Sequence, residues 1–232
     1  MQKAFGMLEI LFVFVMLGIL ISLARPFSNR QLERAREYLY QNLLYAKNLA
    51  LTHSTRYTKP EQGNFLKGYF PSVALPFLVK EPMMWQMQFH LVGKYTKDSF
   101  SIYFDTPRYA HTTHYDHRPM SGDLIAVSGR DLHCISGYNN NNISEFCKDN
   151  ADTTTRLKES FGIHLAIHAQ KSCQESQTAR IYFDFLGRPY CGREQTPLKE
   201  PFIITLSKNS HSTTICILPK NGLILKGEAC QK

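Results

Sequence analysis

Residues 5–53 read FGMLEILFVFVMLGILISLARPFSNRQLERAREYLYQNLLYAKNLALTH, and the two halves of this stretch obey different rules. From Phe5 to Ala24 nearly every side chain is apolar, and the only ionisable one is Glu9. That is about 20 residues, or about 30 Å as a helix, the thickness of a bilayer core. From Pro26 onward Leu32, Ala35, Leu39, Leu43, Ala46 and Ala50 recur at steps of three and four. That spacing predicts one apolar face on a helix. Arg34, Arg36, Glu37, Gln41 and Lys47 take its other faces. Pro26 has no amide donor, so it is expected to bend the rod near the junction without ending it. The expected element is one long helix over residues 5–53, with a membrane stem at 5–24 and an amphipathic half at 27–53.

Glu9 is the anomaly, because a carboxylate inside a membrane span is expensive. A secretory signal is one alternative for the apolar run, with Ser22 and Ala24 mimicking a cleavage site. Pro26 would then stand beside the cut, and the leader "MQK" is shorter than such signals carry. The charges are in conflict over orientation. Arg25, Arg30, Arg34 and Arg36 after the span lean toward a cytoplasmic C-terminal part. The cysteines lean the other way. Cys134, Cys147, Cys173, Cys191, Cys216 and Cys230 form no CxxC pair and all lie in the C-terminal half. An even, scattered set suits disulfides in an oxidising compartment. Six cysteines allow about fifteen complete pairings. The shortest loops favour 134–147, 173–191 and 216–230.

The segment KAFGMLEILFVFVMLGIL resembles the leader of type IV pilins and type II secretion pseudopilins. That family has a short basic leader, a small residue at the cut, usually Phe after it, and Glu five places into the mature chain. A cut between Ala4 and Phe5 puts Glu9 in that register, whereas a cut after Gly6 does not. The resemblance implies a leader at 1–4, removal of it by a prepilin peptidase, N-methylation of Phe5, and pairing of Glu9 with a neighbouring subunit's terminal amine. It implies a helix-kinking proline at Pro26 and an inner-membrane, single-pass chain with its C-terminal domain in the periplasm or in an extracellular pilus. The implied partners are other pilin or pseudopilin subunits, the peptidase, an inner-membrane assembly platform and membrane lipid. Ala in place of the usual Gly at the cut is a departure from the pattern.

Beyond Thr58 the pattern turns to short strands. MMWQMQFHL alternates Trp85, Met87, Phe89 and Leu91 against Met84, Gln86, Gln88 and His90. FSIYF, DLIAVS, FGIHLAIHA, ARIYFDFLG, PFIITLS, TTICILP and GLILKG also read as strands, with His164 and His168 on an outer face. Asn221-Gly222 marks a hairpin turn. Residues 106–122 and 137–160 are polar and turn-rich, and are expected as loops. The expected fold class is α+β: the long N-terminal helix packed on an antiparallel sheet domain over 54–232. LERAREYLYQNLLYAKNLALTHSTR, IYFDFLGRP and TTICILPKNGLILKG resemble, more diffusely, the GspH/FimT-type minor pseudopilins.

Chemistry-bearing patterns are sparse. His111, His114 and His117 in HTTHYDH are three apart with Asp116 beside them, residue types that suit zinc, copper or nickel. Arg108, Arg118 and Pro119 flank them, which favours a solvated loop. No GxSxG, HExxH, P-loop or GxGxxG motif occurs, so no catalytic site and no cofactor are expected. The formal net charge is +8, and from Arg180 onward eight basic residues stand against four acids. Lys and Arg on one face would bind phosphates in a salt-dependent way. The sequence therefore points first to a minor pilin or pseudopilin serving secretion, pilus biogenesis or DNA uptake. The alternatives are a DNA receptor subunit of a competence pilus and a membrane-anchored periplasmic metal-binding protein.

Overall fold

A computed structural model describes residues 6–23, 27–58, 84–93, 97–105, 117–138 and 142–231. The apolar stripe read from the sequence is the seam of the molecule. Helix α2 (Phe27–Thr58) places Leu32, Ala35, Leu39, Leu43, Ala46 and Ala50 in the core, all of them buried. The helix continues one turn and a half past the expected end at His53. Before it, α1 (Met7–Leu23) has 17 residues, about 25 Å of helix. Among the described residues, no helix is long and apolar enough to cross a membrane. Ala4, Phe5 and Pro26 lie outside the described residues.

The strands are β1 (Trp85–His90), β2 (Ser99–Phe104), β3 (Leu124–Ile125), β4 (His164–His168), β5 (Thr178–Phe183), β6 (Pro189–Cys191), β7 (Thr196–Pro197), β8 (Phe202–Lys208), β9 (His211–Ile217) and β10 (Ile224–Lys226). The single antiparallel sheet expected from the sequence is in fact two. One has the order β3-β2-β1-β5-β6-β7, the other β10-β9-β8-β4, and the paired strands are antiparallel throughout. Both sheets press on α2. Met87, Phe89, Phe100, Ile102, Ile181 and Phe183 come from the first, and Phe202, Ile204, Leu206, Ile215 and Ile217 from the second. Phe89 and Phe202, with ring centres 6.1 Å apart, join the two sheets beneath the helix. Asp98 ties them at one end: its Oδ1 accepts the Leu165 amide at 2.9 Å, and its Oδ2 meets His164 Nδ1 at 2.9 Å. His164 and His168 are exposed, on the outer face as expected.

Polar anchors fix α2 along its length. Lys226 Nζ bonds Glu37 Oε2 at 2.7 Å while lying 4.2 Å from the centre of the Tyr40 ring. The Tyr38 hydroxyl donates to Asp152 Oδ2 at 2.6 Å, and the Tyr45 hydroxyl to the Val127 carbonyl at 3.1 Å. Lys208 Nζ reaches both Gln31 Oε1 and the Phe161 carbonyl.

Three disulfides close short loops: Cys134–Cys147, Cys173–Cys191 and Cys216–Cys230, with Cα atoms 5.4, 5.2 and 5.6 Å apart. These are the pairings that the shortest loops favoured. Each loop, of 13 to 18 residues in separation, contributes about 3 kcal/mol in the chain-entropy account. The stretch 137–160, expected as loop, contains α3 (Glu145–Asp149), a 3-10 turn at Thr153–Thr155 and all but the last residue of α4 (Leu157–Phe161). Ser144 and Asp152 cap the first two by accepting the amides of Cys147 and Thr154. The strand expected in DLIAVS is reduced to Leu124–Ile125, with Val127 making an isolated bridge to Cys134.

Candidate functional site

Two regions depart from the chemistry of an ordinary globular surface. The first is α1. Its large apolar side chains from Met7 to Ile19, wherever described, are 48% to 88% exposed, and they point in every direction around the helix. A helix apolar on all sides belongs in a core or a membrane. Glu9 is the third residue of this helix. Its carboxylate accepts the Gly6 amide at 3.0 Å, and its own amide donates to the Gly6 carbonyl at 3.0 Å. That is the side-chain half of a capping box, in which a glutamate satisfies the amide of the capping residue three positions earlier. The acid that looked misplaced in the sequence therefore has a local task at the helix start.

The second region is the polar face of β1, β2 and β5. Both of the alternating faces of β1 are buried, the polar one as well as the apolar one. Gln86 stands opposite Tyr103 and Tyr182, Gln88 opposite Ser101 and Arg180, and His90 opposite Ser99 and Thr178. These side chains bond among themselves. The Tyr103 hydroxyl donates to Gln88 Oε1 at 3.0 Å, and His90 Nε2 lies 3.1 Å from Ser101 Oγ. Arg180 is 4% exposed and pairs through Nη1 with Glu175. Its Nη2 donates to the His117 carbonyl at 2.7 Å, and Gln88 Nε2 donates to the same oxygen at 3.0 Å. His117 takes a left-handed conformation at φ 56°, and its amide donates to Asp105 Oδ2 at 2.9 Å. The backbone at His117 is thus a lid bonded to the polar face.

This changes the meaning of two sequence features. Of the histidine triplet, His111 and His114 lie outside the described residues, and His117 is mostly covered. Among the described residues no group of three His, Cys, Asp or Glu side chains is arranged to hold a metal ion. Of the eight C-terminal basic residues, Arg180 is inside the protein, Arg188 pairs with Asp184, and Lys226 pairs with Glu37. The outer surplus is smaller than the sequence count suggested. A groove of about 330 Å³ lies between α2 and the segments around Ser128 and Asp152. The hydroxyls of Tyr38 and Tyr45 in its wall are spent on Asp152 and the Val127 carbonyl.

Burial and the nearby Arg180 guanidinium push the His90 imidazole down to about 3. The same causes, with Arg193, lower His117 to about 4. Both histidines are neutral in the fold and protonate at an ordinary value near 6.5 when unfolded. The unfolded chain then binds more protons between pH 6.5 and 4, so stability falls as pH falls through that window. His90, fully buried, is expected to remove about 2 kcal/mol by pH 5, and His117, more open to solvent and with Asp105 Oδ2 3.7 Å from its Nδ1, less. Urea unfolding between pH 7 and pH 5 measures this, and His90→Gln is expected to flatten the dependence.

The chain matches no protein-family model, no curated protein and no solved structure.

Proposed function

We propose that the chain is a minor pilin or pseudopilin subunit with no catalytic step of its own. A prepilin peptidase removes residues 1–4 by cutting between Ala4 and Phe5, and Phe5 is then N-methylated. The mature chain stands in the inner membrane by its N-terminal helix, with the disulfide-bonded domain on the oxidising side. It joins other pilin-type subunits through that helix, in a pseudopilus or pilus raised by an inner-membrane platform.

The observation that carries this reading is α1: a helix apolar all round, with its side chains exposed and one acid at its start, set ahead of an amphipathic helix that is docked on a sheet domain. About 25 Å of helix is a few Å short of a typical hydrocarbon core, a mismatch that local thinning or packing with neighbouring helices absorbs at small cost. The three disulfides support an oxidising location for the domain.

Intact-mass and N-terminal analysis of the membrane-extracted protein tests it. The expected mature chain begins at a methylated Phe5. An N-terminus at Met1, or one beyond Ala24, overturns the assignment.

A further inference from the structure

Two tight turns meet on the flank of α2, and each carries large apolar side chains on its outer side. Residues 184–188 join β5 to β6, and residues 218–223 join β9 to β10. Both turns are pinned. Asp184 Oδ1 accepts the amides of Leu186 at 2.9 Å and Arg188 at 2.8 Å. Lys47 of α2 donates through Nζ to the carbonyls of Asn221 at 3.0 Å and Gly222 at 2.9 Å. Gly222 has φ 60°, and a Cβ there would stand 2.4 Å from the Gly187 carbonyl oxygen, so the turns touch backbone to backbone.

Turns of this kind ordinarily present polar residues. Here Phe185, Leu186 and Leu223 are 46%, 60% and 47% exposed, and Leu44 and Leu51 are exposed on the adjoining α2. The basic residues among them are Lys220, Arg188, whose Nε bonds Asp184 Oδ2 at 2.6 Å, and Lys47, whose Nζ is engaged by the Asn221 and Gly222 carbonyls. The one acid in the two turns, Asp184, is buried and spent on the turn and on Arg188. The patch sets these five large apolar side chains together on one flank, the kind of exposed cluster that marks an interaction site. Its charge calls for an anionic occupant. A bilayer meets both conditions: it supplies an apolar layer of any extent, anionic headgroups, and, for a chain already tethered to it, a high effective concentration.

We propose that this patch rests on an anionic lipid surface. In the subunit before assembly, α2 lies along the membrane with Phe185, Leu186 and Leu223 in the interfacial layer and Arg188 and Lys220 against lipid phosphates. This rests on the reading of α1 as a membrane stem, and the test separates the two.

The full chain carrying Leu186→Trp is reconstituted in vesicles of brominated phosphatidylcholine, alone or with an equal part of phosphatidylglycerol. Emission is compared with that of the unsubstituted chain, which reports Trp85. A second chain carrying Phe12→Trp reports α1. With phosphatidylglycerol present, emission from position 186 is expected to fall about twofold, with little fall in phosphatidylcholine alone. Adding Arg188→Glu and Lys220→Glu is expected to abolish that fall while the Phe12→Trp signal stays quenched. Quenching at position 12 without any at position 186 overturns the lipid contact. Absence of quenching at position 12 overturns the membrane stem itself. A concentration-dependent blue shift at position 186, insensitive to bromine, means that a neighbouring subunit covers the patch, and it also overturns the proposal.

Discussion

Arg180→Met is expected to destabilise the domain by about 3–5 kcal/mol, the range for removing one partner of a buried ion pair. Two losses combine. Glu175 keeps its charge in a site where only 14% of its side chain is exposed. The His117 carbonyl loses its 2.7 Å bond from Nη2, which weakens the hold of the lid on the polar face. Lys at this position restores a charge but not the fork that reaches Glu175 and the carbonyl together. Arg180→Lys is therefore expected to recover only part of the loss. Glu175→Gln combined with Arg180→Met tests the electrostatic part, because no lone charge is then left inside. The double variant is expected to be more stable than Arg180→Met alone. Urea unfolding of the full chain in detergent micelles, followed through Trp85, reads all three. With a slope of about 2 kcal/mol per molar, the Arg180→Met midpoint falls by about 1.5–2.5 M. A shift below about 0.5 M contradicts the account of the pair as buried.

That polar face also marks where the sequence stopped being legible. The α2 stripe could be read because a helix has one period, and Leu32 through Ala50 keep it without interruption. The alternation in β1 was equally clear, and it located Met87 and Phe89 in the core. It gave no information on what covers the other face, since that depends on a lid some 30 residues away at His117. The residue types held the clue. Gln86, Gln88 and His90, opposed by Ser99, Ser101, Tyr103, Arg180 and Tyr182, are side chains that both donate and accept or fork, and a solvated sheet face more often carries Lys and Glu. The division into two sheets was hidden for another reason. Periodicity assigns a face to each strand but not a neighbour, so nothing local says that β4 pairs with β8 and not with β5. The five-residue helices α3 and α4 are shorter than any window in which a helical period stands out.

Glu9 presents the opposite case, because the sequence raised one role and the geometry adds a second. The family resemblance has the carboxylate meet a neighbouring subunit's amine. The hydrogen bond to the Gly6 amide gives it a task within its own helix. The two tasks need different chemistry. Capping requires an acceptor oxygen, which glutamine supplies. Pairing with a terminal amine inside lipid requires the negative charge, because an unpaired ammonium there is costly. Glu9→Gln is therefore expected to leave membrane insertion and the helix content of the subunit unchanged. Its co-purification with partner subunits, solubilised together from the same membranes, is expected to fall about tenfold, the loss that corresponds to about 1.4 kcal/mol per contact. Glu9→Ala loses both functions, so it is expected to assemble no better and to fray the first turn as well. If Glu9→Gln assembles like the parent while Glu9→Ala does not, the residue is a helix cap and the intersubunit pairing is wrong. If both assemble like the parent, neither task matters, and the anchor does not depend on its acid.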